Sequence, residues 1–185
     1  MKRLLGILFA LALASPALAD PSPNASTYQV ATSGITVPAL PTDLACLELT
    51  SGSAQVMSID VNGHAPTTAV TASAQIVKRS THNTGGTPTA FTPLGRSTAT
   101  PASTALLQAY TVVPTPLGTL VGLYDEADSL IQPASATTGG APALFDFTKG
   151  QPLTITGTEA ICVTVPSTAS GFAGATLEVT FRIQQ

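Results

Sequence analysis

Thr176-Leu177-Glu178-Val179-Thr180-Phe181-Arg182-Ile183, close to the C-terminus, alternates polar and apolar side chains without a break. A period of two places Leu177, Val179, Phe181 and Ile183 on one face of an extended chain, which predicts a half-buried β-strand. The pattern recurs upstream: Met57, Ile59 and Val61 alternate with Val56, Ser58 and Asp60, and Val70, Ala72, Ala74 and Ile76 alternate with more polar neighbours. Between these two runs Asn62-Gly63 is a positive-φ dipeptide that predicts a tight hairpin turn, and Pro66 beyond it cannot donate to a ladder. Further strands are predicted over 28–37, 44–49, 105–113, 117–124, 144–147, 153–156 and 160–165. The stretch 44–49 is the most helix-like of these, because Leu, Ala and Glu also favour helices. Ten short runs, punctuated by Gly, Pro and Ser/Thr clusters and with no helical stripe of useful length, predict an all-β, single-domain fold. Its expected form is an antiparallel β-sandwich or a jelly-roll-like arrangement.

The first residues read differently. Lys2 and Arg3 precede a short apolar run over 4–14, and Ala17-Leu18-Ala19 supplies the small residues of a cleavage site before Asp20. The run is about half the roughly 20 apolar residues a spanning helix needs. Residues 1–19 therefore read as a secretory signal peptide, residues 20–27 with Pro21 and Pro23 as a flexible leader, and residues 28–185 as the folded domain. A secreted or periplasmic location is expected, with no stable membrane insertion. Five basic residues (Lys78, Arg79, Arg96, Lys149 and Arg182) then face ten acidic ones, a net charge of −5. Nucleic acid is excluded as a partner on this count, because it demands a concentrated positive surface. Charged residues make up 9% of the chain, against about 25% in typical soluble domains. A surface of hydroxyls and methyls suits β-structure, and suits packing against a protein partner or other copies of the same chain.

Cys46 and Cys162 are the only cysteines. In an oxidising compartment a disulfide between them is the default, with two buried thiols or bridges between chains as alternatives. Neither has a second Cys or a His at zinc-ligand spacing. Both fall on the less apolar parity of their strands, Cys46 with Leu44 and Glu48 and Cys162 with Ala160 and Thr164, so a bridge is expected between neighbouring strands on an outer face. His64 and His82 read as exposed surface histidines without a catalytic partner. Asp125, Glu126 and Asp128 form the densest acidic group, but they lack the alternating ligands and central Gly of a calcium loop. No nucleophile elbow, phosphate-binding loop or paired-histidine motif occurs. No catalytic residue, metal or cofactor is expected, and the protein reads as a non-enzyme. Two long Gly/Pro-rich stretches, 80–103 and 132–143, read as irregular, and connections of that length tend to be functional. The first is the expected partner-binding loop, with His82, Asn83, Thr84, Gly85, Gly86, Phe91 and Arg96 as its contact residues.

Residues 89–183 carry further clues in Thr89-Ala90-Phe91-Thr92-Pro93, Pro101-Ala102-Ser103-Thr104-Ala105, Leu117-Gly118-Thr119, Leu144-Phe145-Asp146-Phe147 and Gln151-Pro152-Leu153-Thr154-Ile155-Thr156-Gly157-Thr158-Glu159-Ala160. Here the chain resembles small β-rich uncharacterised proteins associated with phage, prophage and metagenomic sequences. That resemblance implies a sandwich or jelly-roll accessory protein of a particle or surface, and it carries no activity; a signal peptide departs from it. The Thr/Ala-rich composition and the alternating last strand are also similar to chaperone-usher pilins, although the cysteines lie 116 positions apart. The sequence thus predicts an exported structural or binding module of the envelope, extracellular space or a phage-like particle. A pilin-like fimbrial subunit, or a small secreted hydrolase or carbohydrate-active domain, are the alternatives.

Overall fold

The computed structural model describes residues 25–38, 42–65, 67–133, 135, 140–149, 152–166 and 174–185. The proposed signal peptide lies outside the described residues, as do Pro66 and Gly139. All regular structure among the described residues is β, in thirteen strands. They are β1 (Thr27–Ala31), β2 (Ile35–Thr36), β3 (Thr42–Leu49), β4 (Ser53–Ala65), β5 (Val70–Arg79), β6 (Pro88–Phe91), β7 (Leu94–Gly95), β8 (Ala105–Tyr110), β9 (Leu120–Pro133), β10 (Ala143–Asp146), β11 (Leu153–Thr156), β12 (Ala160–Val165) and β13 (Thr176–Gln184).

Two antiparallel-rich sheets pack into a sandwich. One runs β6-β8-β3-β12-β5-β9; the other runs β4-β13-β1-β7, with β10 and β11 along the far side of β4 and β2 continuing β1 along β13. The sheets are joined at both margins. At one, β9 leaves β5 and ends in a short parallel pairing with β4 at His64↔Gln132 and Ala65↔Pro133. At the other, Thr92 and Pro93 carry the chain from β6, the outer strand of one sheet, to β7, the outer strand of the other. β13 is a central strand, paired with β4 on one side and with β1 and β2 on the other. Its Leu177, Val179, Phe181 and Ile183 are fully buried as the alternation requires, facing a core that includes Ile59, Ile76, Phe145 and Ile161.

Several local readings are corrected. Asn62-Gly63 makes no turn: both residues lie within β4 and pair with Glu178 and Leu177. The glycine is needed for closeness, since a Cβ at position 63 would strike the carbonyl oxygen of Thr176 and the side chain of Leu177. Alternation in β4 breaks at Met57, where the register with β13 shifts, so Val56 and Ile59 both point inward. The stretch 80–103 is not all irregular, for it holds β6 and β7. It is also tied down, because the Tyr28 hydroxyl donates to the Pro101 carbonyl at 3.0 Å and the Ser103 hydroxyl donates to the Gln185 side chain at 2.6 Å. Within 132–143, Gln132 and Pro133 belong to β9, and Ala141 exchanges backbone hydrogen bonds with Leu130. Nor is the leader free to its end, since Ser26 exchanges backbone hydrogen bonds with Gln185 and Thr27 opens β1.

Candidate functional site

The cysteines form a disulfide. Cys46 and Cys162 are directly opposite each other on β3 and β12, so the bridge joins neighbouring strands on the face turned away from the main core. An outer face between neighbouring strands was the expectation, and that face is covered: both residues are fully buried. The cover is a cap of two connections, 80–87 and 111–119, laced together by Ser80 N–H to the Thr119 carbonyl, Thr84 N–H to the Pro116 carbonyl and Thr111 N–H to the Thr87 carbonyl. Gly85 and Gly86, at φ 71° and 70°, provide the left-handed backbone this crossing needs, and a side chain on either would meet the backbone at Thr115 or Val112.

A polar network fixes the cap to the sheet. Arg79 on β5 grips Asp43 on β3 through both carboxylate oxygens, Nε to Oδ2 at 2.6 Å and Nη2 to Oδ1 at 2.8 Å, and donates from Nη1 to the Gly118 carbonyl at 2.8 Å. The Thr164 hydroxyl donates to Asp43 Oδ1, and Asn83 Nδ2 donates to Asp43 Oδ2 at 2.8 Å while Asn83 Oδ1 accepts from the Gly118 N–H at 2.7 Å. A register shift between β3 and β12 at Leu44 turns Asp43 to the same side as Cys46, which regular alternation would forbid. Asp43 and Arg79 are both buried. Such a pair stabilises only when its geometry is good and its remaining hydrogen bonds are met, and here both conditions hold.

Beside this network Glu48 is buried, with Tyr110 Oη at 3.4 Å and His82 Nδ1 at 3.6 Å from its carboxylate. Burial pushes the Glu48 carboxyl above its ordinary value, with His82, Tyr110 and Gln108 pulling it back. Burial and the neighbouring Glu48 charge likewise push the Tyr110 hydroxyl far up. His82 is thus half-buried and paired, not a free surface histidine, and its Nε2 is buried with no hydrogen-bond partner among the described residues. His64 is exposed on β4.

The expected contact residues therefore divide. His82, Asn83, Thr84, Gly85 and Gly86 belong to the cap. Phe91 and Arg96 stand apart, at the margin where β6 passes into β7, and line an open cleft of about 560 Å³ with Gln29, Ala31, Thr92 and Leu94. The Arg96 guanidinium has no ion pair or hydrogen bond among the described residues, and the apolar side chain of Leu94 is 74% exposed. Asp125, Glu126 and Asp128 are exposed along β9. The one grouping at metal-ligand distance among the described residues is Asp43 with Cys46 and Cys162, whose sulfurs are bonded to each other.

Sequence reasoning missed the opposite margin. Leu120, Val121, Leu123 and Tyr124 on β9 are each half or more exposed. The signal was present as an apolar run without alternation, which fits a strand buried on both faces or one that shows both faces to its surroundings. No family model matches the chain, and no curated protein or solved structure gives a significant match. Among the described residues no helix is long and apolar enough to cross a membrane.

Proposed function

We propose that this protein is an exported, non-enzymatic structural or binding module that works through the margins of its sandwich, in the cell envelope, the extracellular space or a phage-like particle. One observation carries the reading: large apolar side chains stand exposed at both sheet margins, Leu94 on one and the β9 run on the other. Contiguous exposed apolar surface marks interaction sites in soluble proteins. The groups with chemical potential are placed the other way, since Asp43, Arg79 and Glu48 are buried beneath the cap and bound to neighbours there. A buried disulfide accords with an oxidising compartment. A pilin-like fimbrial subunit is a special form of the same reading.

The test is to place a photo-crosslinking amino acid at position 94 and irradiate cells making the protein. Adducts to a protein in the exported fraction are expected, with none when the crosslinker sits at exposed Thr158, away from the margins. Full-length chain retained in the cytoplasm without adducts would contradict the proposal. The second reading, a small hydrolase, has one observation in its favour, the partnerless Nε2 of His82 beside buried Glu48. Turnover of model esters or glycosides that vanishes in His82→Ala and Glu48→Gln would replace the first reading by the second.

A further inference from the structure

The two sheet margins are chemically complementary. Between Leu120 and Ala127, β9 pairs with β5 on one side and with no strand on the other among the described residues; β4 and Ala141 join it only further on. The β5–β9 register shifts twice here, leaving Val121 and Tyr124 as extra residues. Bulges of this kind turn neighbouring side chains to the same side and spoil the spacing of the ladder, which discourages open-ended strand pairing. Recognition at this margin falls to side chains, and Leu120, Val121, Leu123 and Tyr124 are 58%, 56%, 53% and 50% exposed. Asp125, Glu126 and Asp128 follow directly, all exposed. Hydrogen bonds from Ser73 and Gln75 hold the Glu126 carboxyl below its usual range, so it stays ionised in weak acid. The margin is an apolar strip ending in negative charge.

The cleft on the other margin has the reciprocal character. Phe91 and Leu94 are its apolar walls, and Arg96, free of any ion pair among the described residues, is its cation. Strip and cleft lie on opposite margins, since β9 and β6 are the two outer strands of the sheet β6-β8-β3-β12-β5-β9, so they cannot meet within one molecule. They can meet between molecules. We propose that the occupant of the cleft is a second copy of this chain, with the β9 strip of one copy seated on Phe91, Leu94 and Arg96 of the next, and the acidic residues of the strip facing Arg96. The contact is heterologous, because a joined pair retains one unused strip on one copy and one unused cleft on the other, and such contacts propagate into rings or filaments. This inference rests on the reading of the protein as a module that acts through its margins.

Sedimentation velocity of the purified protein over a rising concentration series tests it. The average mass is expected to grow with concentration and to shrink when salt is added, since salt screens the Arg96–carboxylate attraction. Arg96→Glu, and separately the combined Asp125→Asn, Glu126→Gln and Asp128→Asn variant, should each need about tenfold more protein to associate. All these side chains are exposed, so unchanged melting temperatures are expected to show that both variants fold. The decisive sample is an equimolar mixture of the two, which keeps one intact strip and one intact cleft per pair. It should form dimers and stop there. Protein that stays monomeric at millimolar concentration, or Arg96→Glu that associates like the wild type, would overturn the inference, the latter pointing to β9 meeting β9. A monomer that still crosslinks to a different exported protein through position 94 would sink this inference and leave the proposed function standing.

Discussion

Asp43 shows most directly how single residues hold this molecule together. Its carboxylate receives Arg79, Asn83 and Thr164, groups drawn from β5, the cap and β12. Asp43→Ala would leave the Arg79 guanidinium buried and unpaired, and a loss of about 3–5 kcal/mol in a denaturant titration is the expected outcome. A loss below about 1 kcal/mol would mean that water reaches the site, contrary to the burial described. Glu48 gives a second test at this scale. Because burial raises its folded-state carboxyl value, the folded chain holds the proton to higher pH than the unfolded chain does. The Glu48 contribution to stability therefore falls as pH rises from the unfolded value through the raised one. Glu48→Gln is expected to flatten that decline in urea midpoints measured from acid to neutral pH, and an unchanged slope would assign it to another group. None of this was legible in the sequence. Asp43 and Arg79 lie 36 positions apart, and only the β3–β12–β5 order, with the bulge at Leu44, brings them together.

At the scale of elements, strict alternation was the reliable guide. β13 reads from sequence as it stands in the fold because both of its neighbours pair with it regularly over most of its length. The edge strands β6 and β7 were hidden for the opposite reason: they are short, carry Pro88 and Gly95, and bury little on either face, so no hydrophobic period arises. Asn62-Gly63 misled because a glycine that permits a turn equally permits close strand approach. Gly63→Ala separates these two uses. A turn glycine would tolerate the change with minor loss, whereas the close approach of Thr176 and Leu177 predicts overpacking and a cost of about 1–3 kcal/mol. Thermal melts of the variant beside the wild type measure it. The division of 80–103 follows the same logic: the Gly/Pro richness that marks a loop does not say which part is pinned under hydrogen bonds and which part lines an open cleft. Phe91 and Arg96 were legible as loop residues, and their isolation from the cap was not.

At the scale of the whole molecule, the sandwich places Asp43, Arg79 and Glu48 under a cap and exposes large apolar side chains at both margins, and the disulfide ties the middle of one sheet. The bridge spans 116 positions, and closing so long a loop stabilises by up to about 4.7 kcal/mol in the chain-entropy view. Replacing both cysteines by Ser is expected to lower stability by about 2–5 kcal/mol, read from the shift of the denaturant midpoint at constant slope. The account depends above all on an exported chain whose cysteines are bonded to each other, and intact-mass spectrometry of protein from the exported fraction tests this most directly. The sample is treated with a thiol-alkylating reagent before and after denaturing reduction. The predicted result is a monomeric chain beginning at Asp20 that takes no label before reduction and two labels after it. A chain still beginning at Met1 and recovered from the cytoplasm, or two thiols labelled without reduction, would contradict the account.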